Sequence, residues 1–208
     1  MVTFQGSLFD DGTDPWPRPL DGAVCRTLLD GGAWVDHLPA WMARPDLLFE
    51  RLMEVVPWRA ERRTMYARTV EVPRLLAFYG AGDTLPDPVL DEARSALTAH
   101  YRGVPGGAME TTGLCLYRDG SDSVAWHGDT IGRGATEDTI VAILSLGSPR
   151  RLVLRPRGGR AGSRFDLGGG DLLVMGGSCQ RTWEHSVPKT TRPIGPRISV
   201  QFRPCGVR

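Results

Sequence analysis

The chain contains 208 residues with a formal net charge of +1, which suits a single domain over residues 1–208 and gives no argument by itself for a nucleic-acid partner. No apolar run is long enough to cross a membrane as a helix, and the first residues lack the basic and apolar regions of a signal peptide. We therefore expect a cytoplasmic protein with reduced cysteines, and we expect it to be a monomer without a membrane partner.

The first half of the chain predicts an arm and two helices. Residues 1–22 are rich in Asp, Pro and Gly and predict an irregular arm. A helix is expected to begin near Pro45 and to end before Pro57, because Leu and Val residues recur on one face between these prolines. A second helix is expected from Pro88 to about Tyr101, where apolar residues again recur at helical spacing.

From about Thr111 onward, the sequence consists of short strand-like runs separated by Gly, Pro or Asp. Many short strands in succession favour a sandwich or jelly roll over a parallel α/β sheet. We therefore expect a mainly β fold with a core over about residues 111–204 and with flanking helices outside it. The predicted strands are 113–118, 139–146, 151–155, 163–167, 171–175, 182–187 and 197–203.

The motif His127-Gly128-Asp129 is a candidate metal site when it is combined with His185. Residues i and i+2 of a strand point to the same face, so His127 and Asp129 can converge on one ion while His185 arrives from a later strand. Two His and one carboxylate bind non-haem Fe(II) and leave positions open for a co-substrate and O2. An isolated His-x-Asp pair is more often a strand end with a polar face. Zinc is disfavoured because the four cysteines show no ligand spacing.

The segment Arg197–Arg203 alternates between polar and apolar residues. This alternation places Arg197, Ser199, Gln201 and Arg203 on one face of a strand. In one interpretation that face is solvated. In a closed β structure it points inward instead, where two guanidinium groups require an anionic partner. A dicarboxylate such as 2-oxoglutarate meets this requirement, because Arg matches a carboxylate with a rigid fork.

A series of short motifs runs through the last two-thirds of the chain. They are Val72–Gly80, Leu114–Gly120, Trp126–Asp129, Ser145–Gly147, Gly170–Met175, Trp183–Lys189 and Arg197–Arg203. No single motif is specific, but in this order they resemble the AlkB-like Fe(II)/2-oxoglutarate-dependent dioxygenases, a family of nucleic-acid dealkylation enzymes. The resemblance implies a double-stranded β-helix with the early helices packed outside it.

The resemblance also implies roles for individual residues. His127, Asp129 and His185 would hold Fe(II) and form the catalytic centre, and Arg197 with help from Tyr117 would bind the distal carboxylate of 2-oxoglutarate. Arg203 would lie near its keto-acid end. The family usually has Asn and Thr between the two arginines, where this chain has Ser199 and Gln201, and it has Asn where this chain has Cys115. We expect both Ser199 and Gln201 at the co-substrate, with altered hydrogen bonds.

Substrate recognition is expected to differ from that of many relatives. The acidic residues that often follow the His-x-Asp motif are replaced by Thr130-Ile131-Gly132, and an aromatic-rich segment after the Tyr-Gly pair is replaced by residues 81–86. No intercalating finger is evident. Two arginine clusters offer phosphate contacts, or else an ordinary solvated surface. The clusters are Arg59, Arg62, Arg63, Arg68 and Arg74, and then Arg150, Arg151, Arg155, Arg157 and Arg160.

The leading hypothesis is therefore oxidative removal of alkyl groups from bases such as 1-methyladenine or 3-methylcytosine, with aldehyde, succinate and CO2 as products. Alkylated single-stranded DNA is the expected partner, and Arg74, Tyr79 and Trp126 are the candidate contacts to the base, which must leave its stack. Two alternatives stay open. One is the same chemistry on a protein or small molecule, and the other is a metal-binding β-barrel module without turnover.

Overall fold

The computed structural model describes residues 14–65, 68–160 and 162–207. Two antiparallel sheets form a sandwich, and helices cover one outer face. The strands are β1 Trp16–Pro17, β2 Cys25–Leu28, β3 Ala33–Leu38, β4 Met42–Ala43, β5 Arg59–Met65, β6 Arg68–Tyr79, β7 Thr111–Tyr117, β8 Val124–His127, β9 Val141–Gly147, β10 Arg150–Pro156, β11 Ser163–Leu167, β12 Leu172–Gly177, β13 Trp183–Val187 and β14 Arg197–Arg203. The α-helices are α1 Pro45–Val55, α2 Pro88–His100 and α3 Cys179–Thr182.

The large sheet has eight strands in the order β2-β3-β12-β9-β14-β7-β6-β5, and the small sheet has four strands in the order β11-β10-β13-β8. Strands that are distant in sequence are neighbours in the sheet. For example, β14 pairs with both β7 and β9. This arrangement confirms the predicted jelly roll with helices outside it.

Alternation along the central strands separates two cores. In β9, Ala142, Leu144 and Leu146 pack with the helices, whereas Val141 and Ile143 pack between the two sheets. The same rule turns Ile198, Val200 and Phe202 of β14 toward the helices. The polar residues of β14 therefore face the interior of the sandwich, since successive side chains of a strand point to opposite faces.

The two predicted helices begin at the expected prolines and end within a residue or two of the expected positions. Pro occupies the first turn of each, where a missing N–H is tolerated. Asp87 caps α2 by accepting a hydrogen bond from the backbone N–H of Val89 at 3.0 Å. Leu48 and Leu52 of α1 are fully buried against the outer face of the large sheet.

The predicted start of the β core near Thr111 is wrong. Strands β2, β3, β5 and β6 belong to the large sheet, and even the predicted irregular arm contributes β1, which pairs with β4. Strands β5 and β6 are rich in charged residues and contain Pro73, so their sequence lacks the apolar alternation by which a half-buried strand is recognised.

Strands β5 and β6 form a hairpin at one edge of the large sheet. Only Leu75–Tyr79 of β6 pairs with β7, while the segment from Arg68 to Glu71 pairs with β5. The hairpin therefore extends past the end of β7 that carries Tyr117. The sequence did not predict this projection, and the side chains of residues 62–71 lie outside the described part of the chain.

Among the described residues, no helix is both long and apolar enough to cross a membrane.

Candidate active site

The three predicted metal ligands lie together at one end of the sandwich. His127 is the last residue of β8 and pairs in register with His185 of β13, and the centroids of the two rings are 4.2 Å apart. Asp129 Oδ1 lies 3.6 Å from His127 Nε2. One ligand atom from each residue falls within a cluster no wider than 4.8 Å. This spacing suits a single ion.

Asp129 is not on a strand, in contrast to the expected i, i+2 arrangement. Strand β8 ends at His127, and a turn carries Asp129 back toward the site. Gly128 is required in this turn, because a Cβ atom there would lie 2.3 Å from the carbonyl oxygen of Gln180. The backbone N–H of Asp129 donates to Gln180 Oε1 at 2.9 Å, so the buried Gln180 holds the turn closed.

The donor atoms of the three side chains suit a divalent cation. His127 Nδ1 donates to the carbonyl oxygen of Ala125 at 2.9 Å, which leaves the Nε2 lone pair available. Burial, together with the nearby His127, lowers the pKa of His185 to about 3. Burial raises the pKa of Asp129, but Arg203 and the two histidines outweigh it and bring the pKa below its usual range. The site thus offers Nε2 of His127, the neutral imidazole of His185 and the carboxylate of Asp129.

Arg203 lies beside the metal-site carboxylate. Its Nε donates to Asp129 Oδ2 at 2.8 Å, which leaves Oδ1 on the side of the histidines. Gly113 makes room for this arginine, because a Cβ at that position would lie 2.9 Å from Arg203 Nη1.

A cavity between the two sheets connects the metal-ligand cluster with the polar face of β14. It is lined by Arg74, Cys115, Tyr117, Val124, His127, Asp129, Val141, Ile143, Leu152, His185, Val187, Arg197, Ser199, Gln201 and Arg203. The polar face of β14 is turned inward, and Arg197 is only 1% exposed. The interpretation of this strand as having a solvated face is therefore wrong.

Arg197 is a buried cation without a carboxylate partner among the described residues. Its Nε donates to Ser145 Oγ at 2.9 Å, while its Nη1 has no hydrogen-bond partner in the described part of the chain. Burial lowers the pKa of Arg197. A buried guanidinium group without a counter-charge is strongly unfavourable, so the cavity is suited to an anionic ligand.

Tyr117 lies between two arginines at the same end of the cavity. The Cζ atoms of Arg197 and Arg150 are 5.2 Å and 5.5 Å from the centre of its ring, and burial raises the pKa of Tyr117 to about 12. Arg150 is itself buried and donates to the carbonyl oxygens of Asp119, Asp122 and Pro188. The prediction that Arg150 belongs to a basic surface cluster is therefore wrong.

The residues that depart from the family pattern bind one another. Gln201 Nε2 donates to Ser199 Oγ at 2.8 Å, and the Cys115 thiol lies 3.6 Å from Gln201 Oε1 as a donor. All three side chains line the cavity. Their replacement of the usual residues thus preserves a connected polar wall beside Arg197.

The three predicted substrate contacts do not lie together. Arg74 lines the cavity, but Tyr79 packs against the core on the helix side of the sheet. These residues are five positions apart on β6, and an odd spacing places side chains on opposite faces of a strand. Trp126 is not among the cavity residues, and its ring lies 4.3 Å from the guanidinium carbon of Arg155.

Phe78 is an aromatic residue on the cavity side of β6 that the sequence interpretation missed. It shares the face of Arg74 and Leu76, it is 46% exposed, and it pairs in register with Gly113. The sequence could have indicated Phe78, because every second residue of a strand from Arg74 onward points to the same face. Gln180 was missed because nothing in its local sequence indicates a contact 51 residues away.

The remaining arginines of the second cluster lie on the outer surface. Arg151 pairs with Asp166 at 2.7 Å and Arg155 pairs with Glu184 at 2.8 Å. Arg157 is half exposed and Arg160 is exposed. In the first cluster Arg59 is exposed, whereas the side chains of Arg62, Arg63 and Arg68 lie outside the described residues.

Comparison with known proteins gives relatives and a family model. The model described as the 2OG-Fe(II) oxygenase superfamily matches residues 81–203, more than half of the chain. Alpha-ketoglutarate-dependent dioxygenase alkB homolog 3 of Homo sapiens is 32% identical over 177 residues, which cover 76% of this chain and 60% of that protein. DNA oxidative demethylase ALKBH2 of Arabidopsis thaliana is 30% identical and is covered over 60% of its length, and 74% of this chain is covered. The chain thus spans about 60% of the length of these relatives.

Two solved structures share the fold. One, titled "The structure of OsALKBH1", has a TM-score of 0.53 and 17% identity, with 86% of this chain and 100% of that chain covered. A prolyl hydroxylase from Trichoplax adhaerens has a TM-score of 0.55 and 12% identity, with 81% of this chain and 83% of that chain covered. At these identities the likeness concerns the fold alone.

Proposed function

This chain belongs to the 2OG-Fe(II) oxygenase superfamily, and we propose that it catalyses oxidative dealkylation of N-alkylated nucleic-acid bases. Membership of the family confirms the predicted cofactors Fe(II), 2-oxoglutarate and O2, and the alkB relatives confirm the predicted resemblance. The observation that carries the proposal is that a two-His, one-Asp cluster and an unpaired buried arginine share one cavity.

The residues present fit both groups. His127, Asp129 and His185 would hold Fe(II), because neutral imidazoles and a carboxylate are the donors that non-haem iron uses. Arg197 would hold the distal carboxylate of 2-oxoglutarate through its unpaired Nη1, with Tyr117 beside it. When bound, iron with 2-oxoglutarate and O2 supplies oxidation of an alkyl C–H bond, and succinate, CO2 and an aldehyde are the products.

The remaining cavity residues would orient these groups. Arg203 fixes the Asp129 carboxylate through Oδ2, and it would also face the keto-acid end of the co-substrate. Ser199 and Gln201 form the polar wall along the co-substrate. The apolar side chains of Val141, Ile143 and Leu152 close the cavity between the sheets and limit the entry of water.

The side of the cavity next to the β5–β6 hairpin is the proposed substrate side. Arg74 Nη1 donates to the carbonyl oxygen of Ser123 at 3.2 Å, while its buried Nε has no hydrogen-bond partner among the described residues. Arg74 therefore retains a donor for an acceptor atom of the base. We propose phosphate contacts for the exposed Arg157 and Arg160. Trp126, which is not among the residues that line the cavity, would contact a neighbouring nucleotide only.

We expect single-stranded oligonucleotides with one 1-methyladenine or 3-methylcytosine to be repaired faster than matched duplexes. An unstacked base avoids the few kcal/mol needed to extrude it from a duplex. Formaldehyde and succinate release should be measured on both forms, with the unmethylated oligonucleotide as the control. Binding should weaken as salt is raised if several arginines contact phosphates. Repair of the duplex at an equal or higher rate would reject the preference.

The same assay separates the alternative functions. Succinate release that depends on methylated DNA or RNA supports the proposal, and a comparison of methylated DNA with methylated tRNA identifies the nucleic acid. Turnover only with a peptide or small metabolite would replace the proposed substrate and keep the chemistry. Metal binding without turnover on any substrate would favour a binding module.

Phe78 is proposed to stack on the extruded base in place of the aromatic segment that the chain lacks after Gly80. Replacing Phe78 with Leu should raise the KM for a methylated oligonucleotide by about 5- to 150-fold, because stacking of one base on an aromatic ring contributes about 1–3 kcal/mol. The KM for 2-oxoglutarate should stay unchanged. Phe78→Tyr keeps the ring and should retain nearly all of the wild-type affinity. Equal KM values for the Leu variant and the wild type would remove Phe78 from the substrate site.

A further inference from the structure

We propose that Gln180 is a positioning residue that holds the Asp129 carboxylate in place for the metal. The inference rests on the proposed metal site and is independent of the identity of the substrate. Gln180 belongs to the four-residue helix α3, which lies between β12 and β13, and it is 1% exposed. Such burial restricts the conformations of the side chain, as is required of a residue that positions another.

The first contact is with the backbone of the metal-ligand turn. Gln180 Oε1 accepts a hydrogen bond from the Asp129 N–H at 2.9 Å, and both groups are buried. Strand β8 ends at His127, so no ladder hydrogen bond determines the backbone at Asp129. The Gln180 side chain replaces the neighbouring strand that this backbone N–H lacks.

The second contact is with the glycine between the two ligands. The carbonyl oxygen of Gln180 lies where it would be 2.3 Å from a Cβ atom on residue 128. Gln180 therefore contacts the His127-Gly128-Asp129 turn through both its side chain and its main chain. This double contact explains why the residue between the two ligands is glycine.

The position of Gln180 is in turn determined by its helix. Ser178 Oγ donates to the carbonyl oxygen of Gly31 at 2.7 Å, and Arg157 Nε donates to the carbonyl oxygen of Arg181 at 3.0 Å. Arg157 Nη2 also lies 3.4 Å from the carbonyl oxygen of Gln180. Helix α3 is thus anchored on both sides, and it leads directly into β13, which carries His185. Gln180 links the turn that carries two metal ligands to the strand that carries the third.

Arg203 and Gln180 contact different parts of Asp129. Arg203 binds the outer carboxylate oxygen, Oδ2, while Gln180 fixes the main chain from which the side chain projects. Loss of the glutamine acceptor leaves a buried N–H without a partner, and the turn can satisfy it only by moving. Such a movement displaces Oδ1 from the histidines. Partners of metal ligands typically change metal affinity by about 10- to 100-fold when they are replaced.

The test compares Gln180→Met, which has a similar length and no strong acceptor, with Gln180→Glu, which retains an acceptor oxygen. Mn(II) binding to the full chain without 2-oxoglutarate should be measured by calorimetry. We expect the Met variant to bind Mn(II) about 10- to 100-fold more weakly than the wild type, and the Glu variant to recover most of that loss. Thr182→Val is the matched control, because within the described part of the chain the Thr182 hydroxyl bonds to Ser178 of the same segment and not to the metal-ligand turn.

A role limited to folding would lower the unfolding temperature of the metal-free protein in the Met variant and leave the Mn(II) affinity of its folded fraction unchanged. That result would overturn the inference, and so would equal Mn(II) affinity in the Met variant and the wild type.

A second experiment, amide hydrogen exchange, uses the wild type alone. The Asp129 N–H is expected to be protected from exchange. Its exchange at the rate of an open chain would also overturn the inference. A wild type that binds Mn(II) without dealkylating any oligonucleotide would reject the proposed substrate and not the role of Gln180.

Discussion

Replacing His185 with Ala is expected to abolish iron-dependent turnover and to reduce Mn(II) affinity by more than about a hundredfold. Replacement of a residue that merely supports a ligand already reduces affinity by about 10- to 100-fold, and His185 is proposed as a ligand itself. It pairs directly with His127, and its low pKa keeps the imidazole neutral. Calorimetry with Mn(II) and single-turnover succinate release measure the two effects separately.

The control for this variant is His100→Ala. His100 lies on α2 and contacts Asp21 at 2.9 Å, on an element that contributes nothing to the cavity lining. His100→Ala should leave Mn(II) affinity and turnover close to those of the wild type. Circular dichroism should show that both variants keep the β fold. Full activity in the His185 variant would disprove its assignment as a ligand.

Replacing Arg197 with Met is expected to weaken 2-oxoglutarate binding by more than tenfold. Truncation of one partner of a buried charge-assisted contact costs about 2–5 kcal/mol, which corresponds to a loss of roughly 30-fold to several thousandfold at 1.4 kcal/mol for each factor of ten. The measurement is a titration of the Mn(II)-loaded protein with 2-oxoglutarate under anaerobic conditions. Arg197→Lys should recover only part of the affinity, because Lys keeps the charge and loses the fork.

The same variant separates a binding role for Arg197 from a structural one. The guanidinium group is buried and keeps one nitrogen without a partner among the described residues, so replacing it with an apolar side chain of similar length should not destabilise the fold. We expect an unfolding temperature, measured without 2-oxoglutarate, that is at least equal to that of the wild type. Arg151→Ala on the outer surface is the matched control and should leave the 2-oxoglutarate affinity unchanged. Unchanged affinity in the Arg197 variant would remove this residue from the site.

The parts of the molecule that depend on residues close together in the chain could be predicted from the sequence. Prolines and recurring apolar side chains determined where α1 and α2 begin and end. The alternation from Arg197 to Arg203 determined which residues share a face of β14. The motifs around His127, Asp129 and His185 indicated a metal site, because ligand type and spacing are properties of the chain. These features are the same in the fold because side-chain directions repeat with the same period along any strand or helix.

Which of those faces is enclosed, and which residues become neighbours, depends on contacts between distant parts of the chain. Burial of the polar face of β14 requires the small sheet opposite it, and burial of Arg150 requires the carbonyl groups of two distant segments. The contact between Gln180 and Asp129 joins residues 51 positions apart, a pairing that no local pattern encodes. Strands β5 and β6 carry too little apolar alternation to be recognised. Strand β6 joins the large sheet because β7 offers a free edge for its backbone hydrogen bonds, and β5 pairs with β6. The composition of the cavity therefore follows from strand pairing across the whole chain, which a single sequence does not reveal.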